Sequence, residues 1–323
     1  MLRLGSGISY GSPPIAFDST RKVREGLACV SHAHSDHARS HEVRTLMTEE
    51  TSKITGIDSE PIRYGMRVPY GEYEIEAFPA GHMAGSVQFK VSDGQEMVYT
   101  GDFKLEDDLL FKGAEPIACD ELVIESTFGR PEYCFPDREE VYSDISSWVT
   151  RNLTKDRIVL LGGYAVGKGQ ELTKLINEYC GVTPLVHPKV KKVNDACEHL
   201  GLELGESIVF DSEEGEEMSR GAFICIIPPS LMSFSALNAI SIQYKRKVVS
   251  SVATGWAGIF RRDAFPLSDH ADFTQLVEYV ERANPKRVYT VHGHKKELAR
   301  YLRRKGFNAA PLEKKGQSSL ISF

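Results

Sequence analysis

Through the first 130 residues the apolar positions come in short runs cut by Gly, Asp and Pro. Leu27–Ser31 is one such run and ends at a cluster of histidines. Tyr73–Ala80 alternates apolar and polar residues, the period of a half-buried strand. Val87–Val91 and Met97–Thr100 flank Ser92-Asp93-Gly94, and Asp-Gly between two strand patterns predicts a hairpin. Leu122–Glu125 is a further short strand. Beyond residue 135 the pattern changes. Arg138–Leu153 reads as a helix, Ile158–Leu161 as a strand feeding a glycine loop, and Gln170–Cys180 as a helix with Leu172, Leu175, Ile176 and Tyr179 on its apolar face. Val193–Leu200, Ala222–Ile227 and Lys247–Val252 follow as helix, strand and strand. This alternation is that of a parallel α/β layer. After Phe265 come a polar histidine motif, the helix Thr274–Arg282, the strand Arg287–Val291 and the helix Lys295–Lys305. The expected organisation is an α/β protein with a first part at 1–134, an inserted domain at 135–260 and a return to the first domain at 261–323.

Composition narrows the class. The chain has 323 residues, 41% hydrophobic and 26% charged, which is ordinary globular usage and excludes a disordered or fibrous chain. No apolar run reaches the roughly 18–20 residues needed to span a bilayer, and the N-terminal residues lack the apolar core of a signal peptide. Cys29, Cys119, Cys134, Cys180, Cys197 and Cys225 include no C-x-x-C pair, so reduced thiols in a cytoplasm are expected, with no membrane contact. The net charge of −6 is unevenly spread: residues 1–239 carry −15 and residues 240–323 carry +9. A basic C-terminal quarter offers a phosphate-binding face or a set of solvated helix faces.

The sharpest chemical signal is Ser31-His32-Ala33-His34-Ser35-Asp36-His37, three of the ten histidines within six positions. Imidazole and carboxylate are ligands that zinc prefers. In a strand-end loop His32 and His34 can reach one side while Asp36 and His37 reach the other, which suits two metals. Ala80-Gly81-His82 and Thr100-Gly101-Asp102 each follow a strand and add one more donor.

These three segments, in this order, resemble the metallo-β-lactamase superfamily. Leu122-Val123-Ile124-Glu125-Ser126-Thr127-Phe128-Gly129, Leu267-Ser268-Asp269-His270-Ala271-Asp272 and Val291-His292-Gly293 resemble motifs A, B and C of its β-CASP nucleases. The resemblance spans residues 18 to 293 and is nearest to the compact branch named DNA ligase-associated exonuclease or mRNA 3′-end processing factor. It implies an αββα sandwich with an inserted α/β β-CASP domain. It implies two Zn²⁺, with Mn²⁺ as a substitute: one held by His32, His34, His82 and Asp102, the other by Asp36, His37, Asp102 and His292. A hydroxide bridging the metals would attack the phosphodiester. His270 would protonate the leaving oxygen and Glu125 would orient it, so that Asp36, Glu125 and His270 form the catalytic set. Asp18 would steady the histidine loop, or simply close a strand-end turn.

The substrate expected from the resemblance is single-stranded RNA or DNA, cut by an exonuclease in a cleft between the domains. Gly162-Gly163-Tyr164-Ala165-Val166-Gly167-Lys168-Gly169 approaches the G-x-x-x-x-G-K-[ST] phosphate loop but ends in Gly169, without the hydroxyl that holds Mg²⁺. An ATPase is therefore not expected, although Lys168 remains a candidate phosphate contact. So do Lys189, Lys191, Lys192, Arg261 and Arg262, with Trp256 either stacking on a base or packed between domains. His294 follows motif C where several relatives carry an acidic residue, and it reads as a helix cap, a phosphate contact or a support for the metal site. Two other functions use the same first motifs: a small-molecule thioester or lactone hydrolase, and a nucleic-acid-binding factor that does not cut. A DNA ligase, a helicase or an RNA-processing protein as partner, and a homodimer, are left open.

Overall fold

The computed structural model describes residues 2–257 and 264–313. The chain separates into two compact units. The first takes in residues 1–106, 112–134 and 270–323, the second residues 107–111 and 135–269.

Two sheets make the first unit. One runs in the order Arg3–Leu4, Ile8–Tyr10, Ile15–Phe17, Leu27–Cys29, Thr45–Met47, Glu60–Pro61, antiparallel at its start and parallel from Ile15–Phe17 onward. The other has seven strands in the order Ala309–Pro311, Arg287–Val291, Glu121–Glu125, Glu96–Tyr99, Val87–Ser92, Tyr73–Pro79, Arg67–Tyr70. The period of two along each strand decides which layer a side chain joins. Met97, Tyr99 and Val123 enter the core shared by the two sheets, with Phe17, Leu27 and Phe89. Val98, Leu122 and Ile124 face the opposite way, under Leu276 and Val280 of helix Phe273–Ala283 and Leu298 and Leu302 of helix Lys295–Arg304. The predicted hairpin is present: Val87–Ser92 and Glu96–Tyr99 are antiparallel, with Ser92 opposite Glu96.

All paired strands of the second unit are parallel, in the order Ile208–Val209, Leu185–Val186, Ile224–Ile227, Ile158–Gly162, Val248–Ala253, Ala264–Phe265. Ile158–Gly162 is buried on both faces, as a central parallel strand should be. Val159 and Leu161 meet helices Arg138–Leu153 and Lys168–Leu175, while Ile158 and Leu160 meet the layer that includes Leu237 and Ile240. Two local readings need correction. The helix expected over Gln170–Cys180 is α-helical only over Lys168–Leu175 and continues as a π turn, Ile176–Cys180. The helix expected at Val193 begins at Pro188, where proline needs no hydrogen-bond partner for a missing N–H and His187 caps Lys189 N–H at 3.1 Å. No helix among the described residues is long and apolar enough to cross a membrane.

Candidate metal centre

The donors lie in loops that follow strands of the first unit. After Leu27–Cys29 the chain continues through Val30, whose N–H still bonds Leu46 O at 2.9 Å, and then turns so tightly that His37 and Ala38 both donate to His34 O. Gly81 and Gly101 sit at φ +70° and +56° just before His82 and Asp102. A Cβ on Gly101 would stand 2.8 Å from the Ser31 Cβ, so glycine is what lets the Asp102 loop close on the histidine loop.

His32 Nε2 lies 3.2 Å from His34 Nδ1 and 3.4 Å from Asp102 Oδ2, and His82 Nε2 lies 3.3 Å from His34 Nδ1. Donors placed at zinc bond length on a tetrahedron stand about 3.4 Å apart along its edges. The four groups thus have the spacing of a ligand set, and all four offer an atom within 4.8 Å of the others. Burial, followed by the neighbouring His37, His82 and His34, holds the pKa of His32 well below the ordinary histidine value, so it is a neutral donor. The chemistry and spacing of this set fit a metal.

Around His37 the second group is looser. His37 Nε2 is 3.4 Å from Asp102 Oδ2 and 3.7 Å from Asp36 Oδ2, which makes Asp102 common to both groups. Asp36 is solvent-facing, its side chain 79% exposed. His292, at φ +60°, brings its ring centroid to 5.7 Å from that of His37. Burial opposes a proton on His37, but Asp102, Asp18 and Asp36 outweigh it and push its pKa up to about 10. Such a field is one a cation can occupy.

Asp18 explains how the imidazoles are aimed. Its carboxylate accepts from Ser31 N–H at 2.7 Å, Ser31 Oγ at 2.6 Å, Tyr99 OH at 2.7 Å and His37 Nδ1 at 2.9 Å. Burial raises its pKa, but His37 and these hydrogen bonds hold it below the usual carboxylate range. With Nδ1 of His37 taken by Asp18, and Nδ1 of His32 within 2.9 Å of Ser31 Oγ, each ring keeps Nε2 for a ligand. Ser31 and Tyr99 were not foreseen as part of the site. Their only sequence signal is that each precedes a donor loop, where a core residue looks the same.

Beside this lies an acid–base pair. His270 Nδ1 stands 3.0 and 3.1 Å from the two oxygens of Glu125, which is fully buried and also accepts from Phe103 N–H at 3.0 Å. Burial raises the Glu125 pKa, yet His270 and the hydrogen bonds from Thr127 and Phe103 keep it lowered. The ring of His270 is 4.7 Å from that of His82 and meets Phe128 edge-on at 6.1 Å. Phe128 packs on Tyr133, and Tyr133 stacks on His294 at 5.2 Å and 28°, so His294 extends an aromatic shelf and makes no side-chain cap to helix Lys295–Arg304.

Other predicted residues stand elsewhere. Lys168 is buried in the second unit, 2.5 Å from Glu171 and 2.6 Å from Asp269, so its ammonium is engaged by carboxylates. Trp256 is half-buried in a turn where its backbone N–H donates to Thr254 Oγ1 at 3.2 Å. Lys189 and Lys192 are exposed on helix Pro188–His199, and Lys191 pairs with Asp195 at 2.9 Å. Arg261 and Arg262 lie outside the described residues.

Comparison with known proteins bears on the same segments. Residues 260–311 match the family model described as a Zn-dependent metallo-hydrolase RNA specificity domain. The chain is 34% identical over 310 residues to a probable DNA ligase of Opitutus terrae, covering 90% of this chain but 29% of that protein. It is 28% identical over 220 residues to the probable RNase MJ4 of Methanocaldococcus jannaschii, covering 55% of this chain and 50% of that one. The chain thus spans half or less of either relative. A solved structure of a protein of unknown function from Enterococcus faecalis shares the fold, with a TM-score of 0.63 at 14% identity over 90% of this chain and 80% of that one.

Proposed function

The chain belongs to the metallo-β-lactamase β-CASP family, and on that premise we propose that it is a two-zinc nuclease that removes nucleotides from single-stranded RNA or DNA. The observation that carries the reading is the contact of a four-donor set with an acid–base pair: His270, held by Glu125, sits ring against ring with His82. A small-molecule hydrolase can work with the donors alone. A histidine poised to protonate a leaving oxygen fits phosphodiester cleavage, whose alkoxide leaving group needs a proton. The names of the relatives, a probable RNase and a probable DNA ligase, support nucleic acid as the substrate and a ligase or RNA-processing protein as partner. Six free cysteines fit a reducing cytoplasm.

His32, His34, His82 and Asp102 would hold one cation, and Asp36, His37, Asp102 and His292 the other. When bound, the cations supply Lewis acidity that lowers the pKa of water and neutralises charge on the phosphoryl group. Asp18 keeps His37 in the tautomer with Nε2 free. Glu125 engages Nδ1 of His270, so that the transferable proton is on Nε2, and its negative charge favours the imidazolium that acts as acid. His270 then gives that proton to the departing oxygen.

A single gel tests the proposal. Zinc- or manganese-loaded protein is incubated with matched 5′-labelled single-stranded RNA and DNA. The expected result is a product ladder that disappears in Asp102→Asn and falls about 10²- to 10⁴-fold in rate in His270→Ala. Metal-loaded protein that leaves both strands intact while turning over a thioester would replace the nuclease with a small-molecule hydrolase.

A further inference from the structure

The phosphate-loop-like sequence of the second unit has a lysine that does not face solvent. Lys168 is 2% exposed, and its Nζ lies between Glu171 Oε2 at 2.5 Å and Asp269 Oδ1 at 2.6 Å. Glu171, 1% exposed, also receives Arg138 and the Tyr142 hydroxyl. Arg138 in turn donates to the backbone carbonyl of Ser268. Two cations and two anions are thus enclosed together. Beyond helices Arg138–Leu153 and Lys168–Leu175 they reach two consecutive residues, Ser268 through its carbonyl and Asp269 through its carboxylate. The next residue along the chain is His270.

Three glycines of the same sequence have local structural reasons of their own. A Cβ on Gly163 would stand 2.7 Å from Leu172 Cδ1 and 3.1 Å from Lys168 Cγ, and one on Gly169 3.0 Å from Val190 Cγ1. Gly167 takes φ +87° at the helix N-cap, where its N–H bonds Gln170 Oε1 at 2.8 Å. Gly163 and Gly169 are glycine because Leu172, the lysine stem and Val190 need the room, and Gly167 because of its backbone conformation, with no phosphate required.

A buried ion cluster is a weak source of stability, since apolar residues of equal volume often serve as well. What it does supply is a fixed geometry for the groups it binds. We infer that Lys168, Arg138 and Glu171 are positioning residues that clamp the Ser268 carbonyl and the Asp269 carboxylate and thereby set the approach of the chain into His270. The inference rests on the reading of His270 as the proton donor to the leaving group.

The test uses the full-length, zinc-loaded protein and two substrates: single-stranded oligonucleotide, whose alkoxide leaving group needs a proton, and bis(p-nitrophenyl) phosphate, whose phenolate does not. Asp269→Asn keeps the Lys168–Glu171 pair and weakens its hold on residue 269. Lys168→Met removes it, and Lys168→Arg restores the charge. Both weakening variants are expected to lose about 10- to 100-fold in kcat on oligonucleotide with KM unchanged, to stay within about threefold on the p-nitrophenyl ester, and to be rescued in part by Lys168→Arg. Equal losses on both substrates, or none on either, overturn the clamp. Amide exchange supplies a readout independent of turnover: in both variants exchange at residues 268–270 should accelerate while Ile158–Gly162 stays protected. Unchanged exchange there overturns the inference even if wild-type protein cuts no nucleic acid, the result that would separately remove the nuclease reading.

Discussion

Asp18 holds four donors on one carboxylate and sits at φ +46°, a left-handed conformation that Asn tolerates far better than Ala. Asp18→Asn therefore changes charge and acceptor capacity with little backbone strain. Because the side chain acts through His37 and Ser31, its loss should weaken metal binding rather than unfold the protein. The expected outcome is a zinc affinity lower by about 10- to 100-fold in chelator competition, with the thermal transition of the metal-free protein nearly unchanged. A metal-free protein that melts far lower would make Asp18 a fold residue instead. Gly293 has a comparable local logic: a Cβ there would stand 2.3 Å from Ser126 O, so the turn that carries His292 past Ser126 admits no side chain. In the sequence Asp18 reads as a support for the histidine loop or a strand-end turn, and Gly293 only as part of the segment Val291-His292-Gly293. Their roles rest on contacts across 13 to 167 residues of chain, which no local pattern carries.

At the level of elements, the turn after strand Tyr73–Pro79 shows how a loop is held for chemistry. Gly85, at φ +74°, offers its carbonyl to Thr48 Oγ1 at 2.8 Å and Thr51 Oγ1 at 3.2 Å, at the start of helix Glu49–Thr55. A Cβ on Gly85 would stand 2.4 Å from Thr48 Oγ1 and 2.6 Å from Glu50 Cβ. Gly85→Ala should therefore cost about 1–3 kcal/mol more than Gly94→Ala, whose hairpin turn has a similar φ of +96° but open space around it. Urea denaturation of the two variants measures the difference, and equal losses would assign the whole effect to backbone conformation. Strand Tyr73–Pro79 was readable from its alternation, with Tyr73, Ile75 and Ala77 turned into the core, whereas the apolar runs Met97–Thr100 and Leu122–Glu125 show no period in the sequence and are divided between two cores only by the fold. Helix Phe234–Tyr244 escaped notice because its apolar residues fall all round it with Ser and Asn between, and none of its residues is buried. The clamp on Ser268 was equally illegible, since a buried lysine and a phosphate-binding lysine look alike in a glycine-rich sequence.

For the whole molecule, the donors proposed for the two cations are all in the first unit, and they come from four separate stretches of chain: 32–37, 82, 102 and 292. That dispersion is why the centre was legible. Residue types demanded by zinc, set at the ends of strands, stay visible whatever the surrounding sequence does. It also fixes what metal removal should do. A ligand bound only by the folded state stabilises by about 2.7 kcal/mol when present at a hundredfold over its Kd. That stabilisation belongs to the unit that binds it. Chelation should speed amide exchange in residues 31–37, 80–86 and 101–104, where the loops lose a common tie. The parallel strands Ile158–Gly162 and Ile224–Ile227, which contribute no donor, should keep their protection. Mass spectrometry of exchanged peptides, with and without chelator, reads both regions in one experiment. Uniform acceleration would mean that the metal supports the folding of the entire chain. Selective acceleration would mean that the parallel-sheet unit stands on its own core.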